Sequence, residues 1–176
     1  MSAQRTVETR HPDDPDAMHD LGVQLGRVLR AGDLVILTGP LGAGKTTLTR
    51  GIGEGLGVRG PVQSPTFVLA RTHPSLSDGP PLVHVDAYRV RDAEELDDLD
   101  LDFEGAVVVA EWGAGVVDTR SHWIEIVIER PVGSADDDGS GDSAGAPAQD
   151  WSETLVEPRT VTISAWGARW AEGVLQ

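Results

Sequence analysis

Two rhythms of apolar positions run along the chain, and they assign most of its elements. Met18, Leu21, Leu25, Val28 and Leu29 recur at intervals of three and four, the spacing of one buried stripe on an α-helix. Asp14 followed by Pro15 supplies an N-cap and a first helical residue, and Gly32 closes the helix. Leu34–Thr38 is a continuous apolar run ending at Gly39, the mark of a short buried strand. A second helix is expected from the glycine-rich turn near Gly44 to Leu56, ahead of Gly57. It carries Gly51, Gly53 and Gly55, each costing about 1 kcal/mol relative to alanine. Such a helix must draw on tertiary packing, which predicts a close backbone approach.

The remaining runs read as strands. Thr6–Glu8 is a short first strand; Phe67–Arg71 and Leu82–Tyr88 are joined by a Pro/Ser/Gly loop at Thr72–Pro81. Asp92 with Glu95 has capping-box spacing and opens a short acidic helix. Ala106–Ala110 is a buried-type strand, whereas Trp123–Glu129 and Thr160–Ser164 alternate apolar and polar residues. Between those last two lies Gly133–Asp150, with five aspartates and no apolar side chain larger than alanine. It cannot bury enough surface to offset ordering and is read as a disordered loop. Strands alternating with helices, then a C-terminal β-hairpin, predict one domain over residues 1–176. Its expected class is three-layer α/β, like a P-loop NTPase, with a mixed, mostly parallel sheet.

Composition narrows the function. The chain has 176 residues, with 14 Lys+Arg against 29 Asp+Glu, a net charge of −15. That balance argues against a surface that embraces nucleic acid or an anionic membrane. Without cysteine there is no disulfide, thiolate metal site or cysteine nucleophile. No signal-peptide core or membrane-spanning run is present, so a cytoplasmic protein is expected. Lys45 is the only lysine among the basic residues.

That lysine falls in Gly39-Pro-Leu-Gly-Ala-Gly-Lys-Thr46, a complete Walker A pattern between an expected strand and an expected helix. The glycines let successive backbone N–H groups point at phosphate oxygens, and the helix adds its positive end. Gly39, Leu41, Gly42, Ala43, Gly44, Lys45, Thr46 and Thr47 are therefore the candidate nucleotide cradle. Lys45 reaches the β- and γ-phosphates, and the Thr46 hydroxyl is a candidate Mg²⁺ ligand. With no second lysine there is no guanine-specific Asn-Lys-x-Asp motif, which favours ATP. Two acidic residues end apolar strands, Asp86 and Glu111, and are candidates to hold the metal and to orient the attacking water. Thr66, in Gln63-Ser-Pro-Thr-Phe67, lies where switch-type NTPases sense the γ-phosphate. His84 reads as a structural strand histidine, Tyr88 and Arg89 as neighbours of the site, and Trp151, Trp166 and Trp170 as core or edge cover. Asp98, Asp100 and Asp102 do not form an EF-hand, because Phe103 occupies the required glycine position and Val109 the final acidic one.

Taken in order, the Walker A segment, Ser64-Pro-Thr-Phe67, His84-Val-Asp-Ala-Tyr-Arg89 and Glu111-Trp112 resemble the TsaE (YjeE) family of bacterial P-loop ATPases, over about Thr6 to Trp166. The resemblance implies an ATPase required for threonylcarbamoyl modification of adenosine 37 in tRNAs reading codons that start with A. It also implies partners: TsaD- and TsaB-type proteins perform the transfer, contact with tRNA is indirect, and ATP hydrolysis resets the complex. Carried over, Lys45 and Thr46 match the phosphate and Mg²⁺ positions, Thr66 the switch-like threonine, Asp86 the motif aspartate and Glu111 the Walker B acid. Trp112 follows as in the family's Glu-Trp pair. Ala87, where bulkier apolar residues are common, and the loop at Gly133–Asp150 depart from the family pattern. Two other readings remain open at this point: a P-loop small-molecule kinase, for which Arg89 and Arg91 make a poor lid, and a nucleotide-gated binding module without hydrolysis.

Overall fold

Among the described residues, seven strands and two helices follow the order β1 (Arg5–Arg10), α1 (Pro15–Val28), β2 (Leu34–Thr38), α2 (Lys45–Leu56), β3 (Ala70–His73), β4 (Leu82–Asp86), β5 (Val107–Glu111), β6 (Trp123–Glu129) and β7 (Thr160–Trp166), ahead of a 3-10 turn at Ala168–Trp170. The computed structural model describes residues 5–40, 42–62, 70–86, 94, 100–111, 121–130 and 158–175. The expected acidic helix, apart from Glu94, and the loop at Gly133–Asp150 lie outside them.

All these strands join one sheet in the order β1-β7-β6-β2-β5-β4-β3. The central four, β4, β5, β2 and β6, are mutually parallel, and β3 and β7 run antiparallel beside them. The antiparallel pair β6–β7 is the expected C-terminal hairpin, so the class is α/β with a mixed, mostly parallel sheet. Strand ends moved where cross-strand pairing decided them. The third strand runs further at its C-terminal end than expected, because Thr72 and His73, expected in a loop, pair with Val83 and Leu82, while its expected start at Phe67 lies outside the described residues. β1 and β7 are longer than expected because they pair with each other from Arg5↔Trp166 to Arg10↔Val161. Trp166 is accordingly a strand residue, stacked on Trp123 at 5.0 Å, while Trp170 is buried.

Alternation puts two apolar faces on the central strands. Val35, Leu37, Val107, Val109, Ile124 and Ile126 face α1 and α2, and Leu34, Ile36, Val83, Val85 and Val108 face Leu101 and Phe103. The helices meet through a glycine seam. A Cβ on Gly22 would lie 2.3 Å from the Leu48 carbonyl and 2.9 Å from the Gly51 Cα, and Gly26 faces Gly55 in the same way. The expected close approach is thus made by glycines of both helices, four residues apart on each. Beyond α1, Gly32 turns the chain with φ +93°.

The end of the sheet remote from the helix-2 N-terminus is closed by ions. Asp33, only 2% exposed, accepts two hydrogen bonds from Arg169, at 2.8 and 2.7 Å, and one from the Arg30 N–H at 2.7 Å. His122 stands 3.2 Å from the same carboxylate.

His73 ends β3 buried, and its Nε2 has no hydrogen-bond partner among the described residues. Burial, then the nearby His84 and Arg71, hold its pKa below the ordinary 6.5. The unfolded chain therefore binds this proton more readily, and the contribution of a neutral His73 is fully present above pH 6.5 and is lost as pH falls through the lower folded value. Urea midpoints measured from pH 7.5 down to 5.5 are expected to fall, and to fall less in His73→Leu.

Candidate active site

The turn between β2 and α2 is shaped by glycines that only glycine can fill. Gly42 and Gly44 have φ of +75° and +110°, and a Cβ on Gly39 would lie 2.9 Å from the Ile128 carbonyl. Ala43 N–H closes a turn onto the Pro40 carbonyl at 3.0 Å. Two features brace the turn from outside. Met18 of α1 packs beneath Gly44, and Arg159, just before β7, donates from Nε to the Ala43 carbonyl at 3.3 Å.

The two helix starts differ. Asp14 caps α1, its Oδ1 accepting from the Ala17 N–H at 2.7 Å, whereas α2 has no side-chain cap at Gly44 and no acidic residue in its first turn. The positive end of α2 is not neutralised by its own side chains, the arrangement that suits a phosphate.

Lys45 opens α2 and is buried, and its Nζ donates to the Gly39 carbonyl at 2.7 Å and the Pro40 carbonyl at 3.2 Å. Burial lowers its pKa, and the carboxylates of Glu111 and Asp86 oppose that shift. Those carboxylates are register partners at the ends of the adjacent parallel strands β4 and β5. Leu37, two residues before Gly39, pairs with Glu111 on the other side. Strand order therefore brings the three expected catalytic residues, Lys45, Asp86 and Glu111, to one end of the sheet. Thr46 and Thr47 sit half-buried in the first turn of α2. Leu41 and Thr66 lie outside the described residues, as do Tyr88, Arg89 and Trp112.

Three features were not legible in advance. His84, expected to be structural, is fully buried, with its Nε2 3.2 Å from Glu111 Oε1. Arg159 braces the Gly39–Thr46 turn from 116 positions away, and Arg130, just after β6, approaches Gly42. An arginine flanking an alternating strand carries no motif; the only signal was its place beside the expected hairpin.

The donor set is hard: a hydroxyl at Thr46 and carboxylates at Asp86 and Glu111. Among the described residues no three His, Asp or Glu side chains are grouped to cage a metal ion. The set fits Mg²⁺, which takes one or two protein carboxylates and completes its shell with phosphate oxygens and water. No described helix is long and apolar enough to cross a membrane.

The family model described as threonylcarbamoyl adenosine biosynthesis protein TsaE matches residues 12–134. The chain is 52% identical over 158 residues to the tRNA threonylcarbamoyladenosine biosynthesis protein TsaE of Streptomyces coelicolor, spanning 88% of this chain and 94% of that one. The protein of the same name from Bacillus subtilis is 38% identical over 126 residues, spanning 69% of this chain and 75% of that one. The crystal structure of Bacillus subtilis YdiB superposes with a TM-score of 0.65 at 27% identity, covering 96% of this chain and 91% of that one. With a family model over most of its length and a relative matched nearly end to end, the chain belongs to the TsaE family of threonylcarbamoyladenosine biosynthesis proteins.

Proposed function

We propose that the chain binds ATP with Mg²⁺ at the Gly39–Thr46 loop and hydrolyses it as the accessory ATPase of tRNA threonylcarbamoyladenosine formation, acting in the cytoplasm with TsaD- and TsaB-type proteins. The observation that carries this reading is the convergence of Lys45, Asp86 and Glu111 beside an uncapped helix N-terminus. The α2 amides and Lys45 hold the phosphates, and Lys45 offsets negative charge growing on the transferred group. Thr46, Asp86 and Glu111 would hold Mg²⁺, which would supply charge neutralisation on the phosphates. Glu111 accepts a hydrogen bond from the attacking water and turns the water's lone pair towards the γ-phosphorus; as that O–P bond forms, the bridging P–O bond to ADP breaks, and the water's proton passes to the released phosphate. Thr66 senses the γ-phosphate. A net charge of −15 keeps this chain off tRNA itself and suits a basic protein partner.

The test is phosphate release by the purified chain, with and without TsaD- and TsaB-type proteins from one source. Partners are expected to raise turnover, and Glu111→Gln is expected to lower it at least tenfold while ATP still binds. Equal rates with and without partners would remove the coupled ATPase from consideration. Phosphate appearing on an added nucleoside or metabolite would indicate a kinase.

A further inference from the structure

Glu111 is held by a neighbour that the reaction does not itself require. His84 lies on β4 with no exposed surface, on the face shared with Leu82 and turned towards the helices. Its Nε2 stands 3.2 Å from Glu111 Oε1, and its Nδ1 is buried without a partner among the described residues. An ionised carboxylate only accepts hydrogen bonds, so the contact requires the hydrogen on Nε2. A neutral imidazole has one N–H, and placing it on Nδ1 would leave that buried donor without a partner among the described residues while removing the bond to Glu111. Nε2–H with a bare Nδ1 is the tautomer this environment selects.

The consequence concerns Glu111. Its side chain has three rotatable bonds and sits at a strand end within the field of the Lys45 ammonium, which attracts it. Unrestrained, the carboxylate would turn towards that cation. A donor fixed in the adjacent strand holds one oxygen in place and leaves the other outside that bond.

We propose that His84 is a positioning residue: its Nε2–H fixes one oxygen of Glu111 so that the other is presented to the attacking water. This rests on the hydrolytic reading above. His84→Leu is expected to lower kcat about ten- to hundredfold, with KM and the Kd for ATP changed less than threefold. His84→Gln, which keeps an N–H donor at similar reach, is expected to recover most of that loss. In a Glu111→Gln background, His84→Leu is expected to have no further effect on kcat.

In the unsubstituted protein, ¹⁵N resonances of the His84 ring are expected to report a protonated Nε2 and a bare Nδ1, a readout independent of turnover and of whether the leucine variant folds. The opposite tautomer overturns the proposal. So does equal impairment of the leucine and glutamine variants at matched melting temperature. Loss of turnover in Glu111→Gln together with full turnover in His84→Leu overturns the positioning role alone. Full turnover in Glu111→Gln overturns the hydrolytic reading, and the positioning role with it.

Discussion

Replacing Lys45 with alanine is expected to reduce ATP turnover about 10²–10³-fold while leaving the fold in place. The ammonium is the one lysine charge in the chain, and it is set between the Gly39–Thr46 turn and two carboxylates. In the proposed hydrolysis, removing it takes away the cation that grows in value as negative charge develops on the transferred phosphoryl group. Stability changes little, because two hydrogen bonds to loop carbonyls are lost while the cost of burying a charge is relieved, and alanine favours the first turn of a helix. Lys45→Arg is not expected to restore activity, since a planar guanidinium is not a point charge of the same reach. Phosphate release and a circular-dichroism melt check both parts. A wild-type rate in the alanine variant would mean that hydrolysis does not occur at this loop.

The largest structural effect is expected at Gly51. An added Cβ would stand 2.1 Å from the His19 carbonyl, 2.9 Å from the Gly22 Cα and 3.0 Å from the Val23 nitrogen, all backbone atoms of α1. No side chain can rotate away, so α1 and α2 must separate. Alanine regains about 1 kcal/mol of helix propensity. Forcing two packed helices apart costs more than the usual 1–3 kcal/mol of overpacking, because the obstacle is backbone. A net loss of roughly 2 kcal/mol or more is expected, read as a lowered urea midpoint. Gly60→Ala, whose added Cβ would meet nothing within 4 Å, is the control and is expected to stay within about 0.5 kcal/mol. Separation of the helices would also draw Met18 from beneath Gly44, so weaker nucleotide binding is expected to accompany the loss.

The contrast between those two glycines marks where sequence reading stopped. The stripe from Met18 to Leu29, the run at Leu34–Thr38 and the alternation at Trp123–Glu129 are local patterns, and they placed their elements closely. The glycines of α2 pointed to a close approach, but only the structure supplied its counterpart, Gly22 and Gly26 on α1. The ends of β1, β3 and β7 depended on partners distant in the chain, and those ends moved. The same distinction holds at the site. Walker A is contiguous and shows itself, and acidic residues ending apolar strands can be picked out singly. That Asp86 and Glu111 are register partners, and that His84 reaches Glu111 from the next strand, follows from β4 lying beside β5, which no local pattern states.

The pairing of the first strand with the last has a consequence for synthesis. Strands β2, β4 and β5 and the Gly39–Thr46 turn are complete on the emerging chain while β1 still lacks its neighbour, for Arg5 waits on Trp166. Asp33 waits longer, since its guanidinium partner is Arg169. Translation adds roughly 5–20 residues per second, so for several seconds the half-built sheet carries an open edge and a carboxylate without its counter-ion. The sheet end that carries Lys45, Asp86 and Glu111 can thus be framed early, and the opposite end is sealed only when Arg169 arrives.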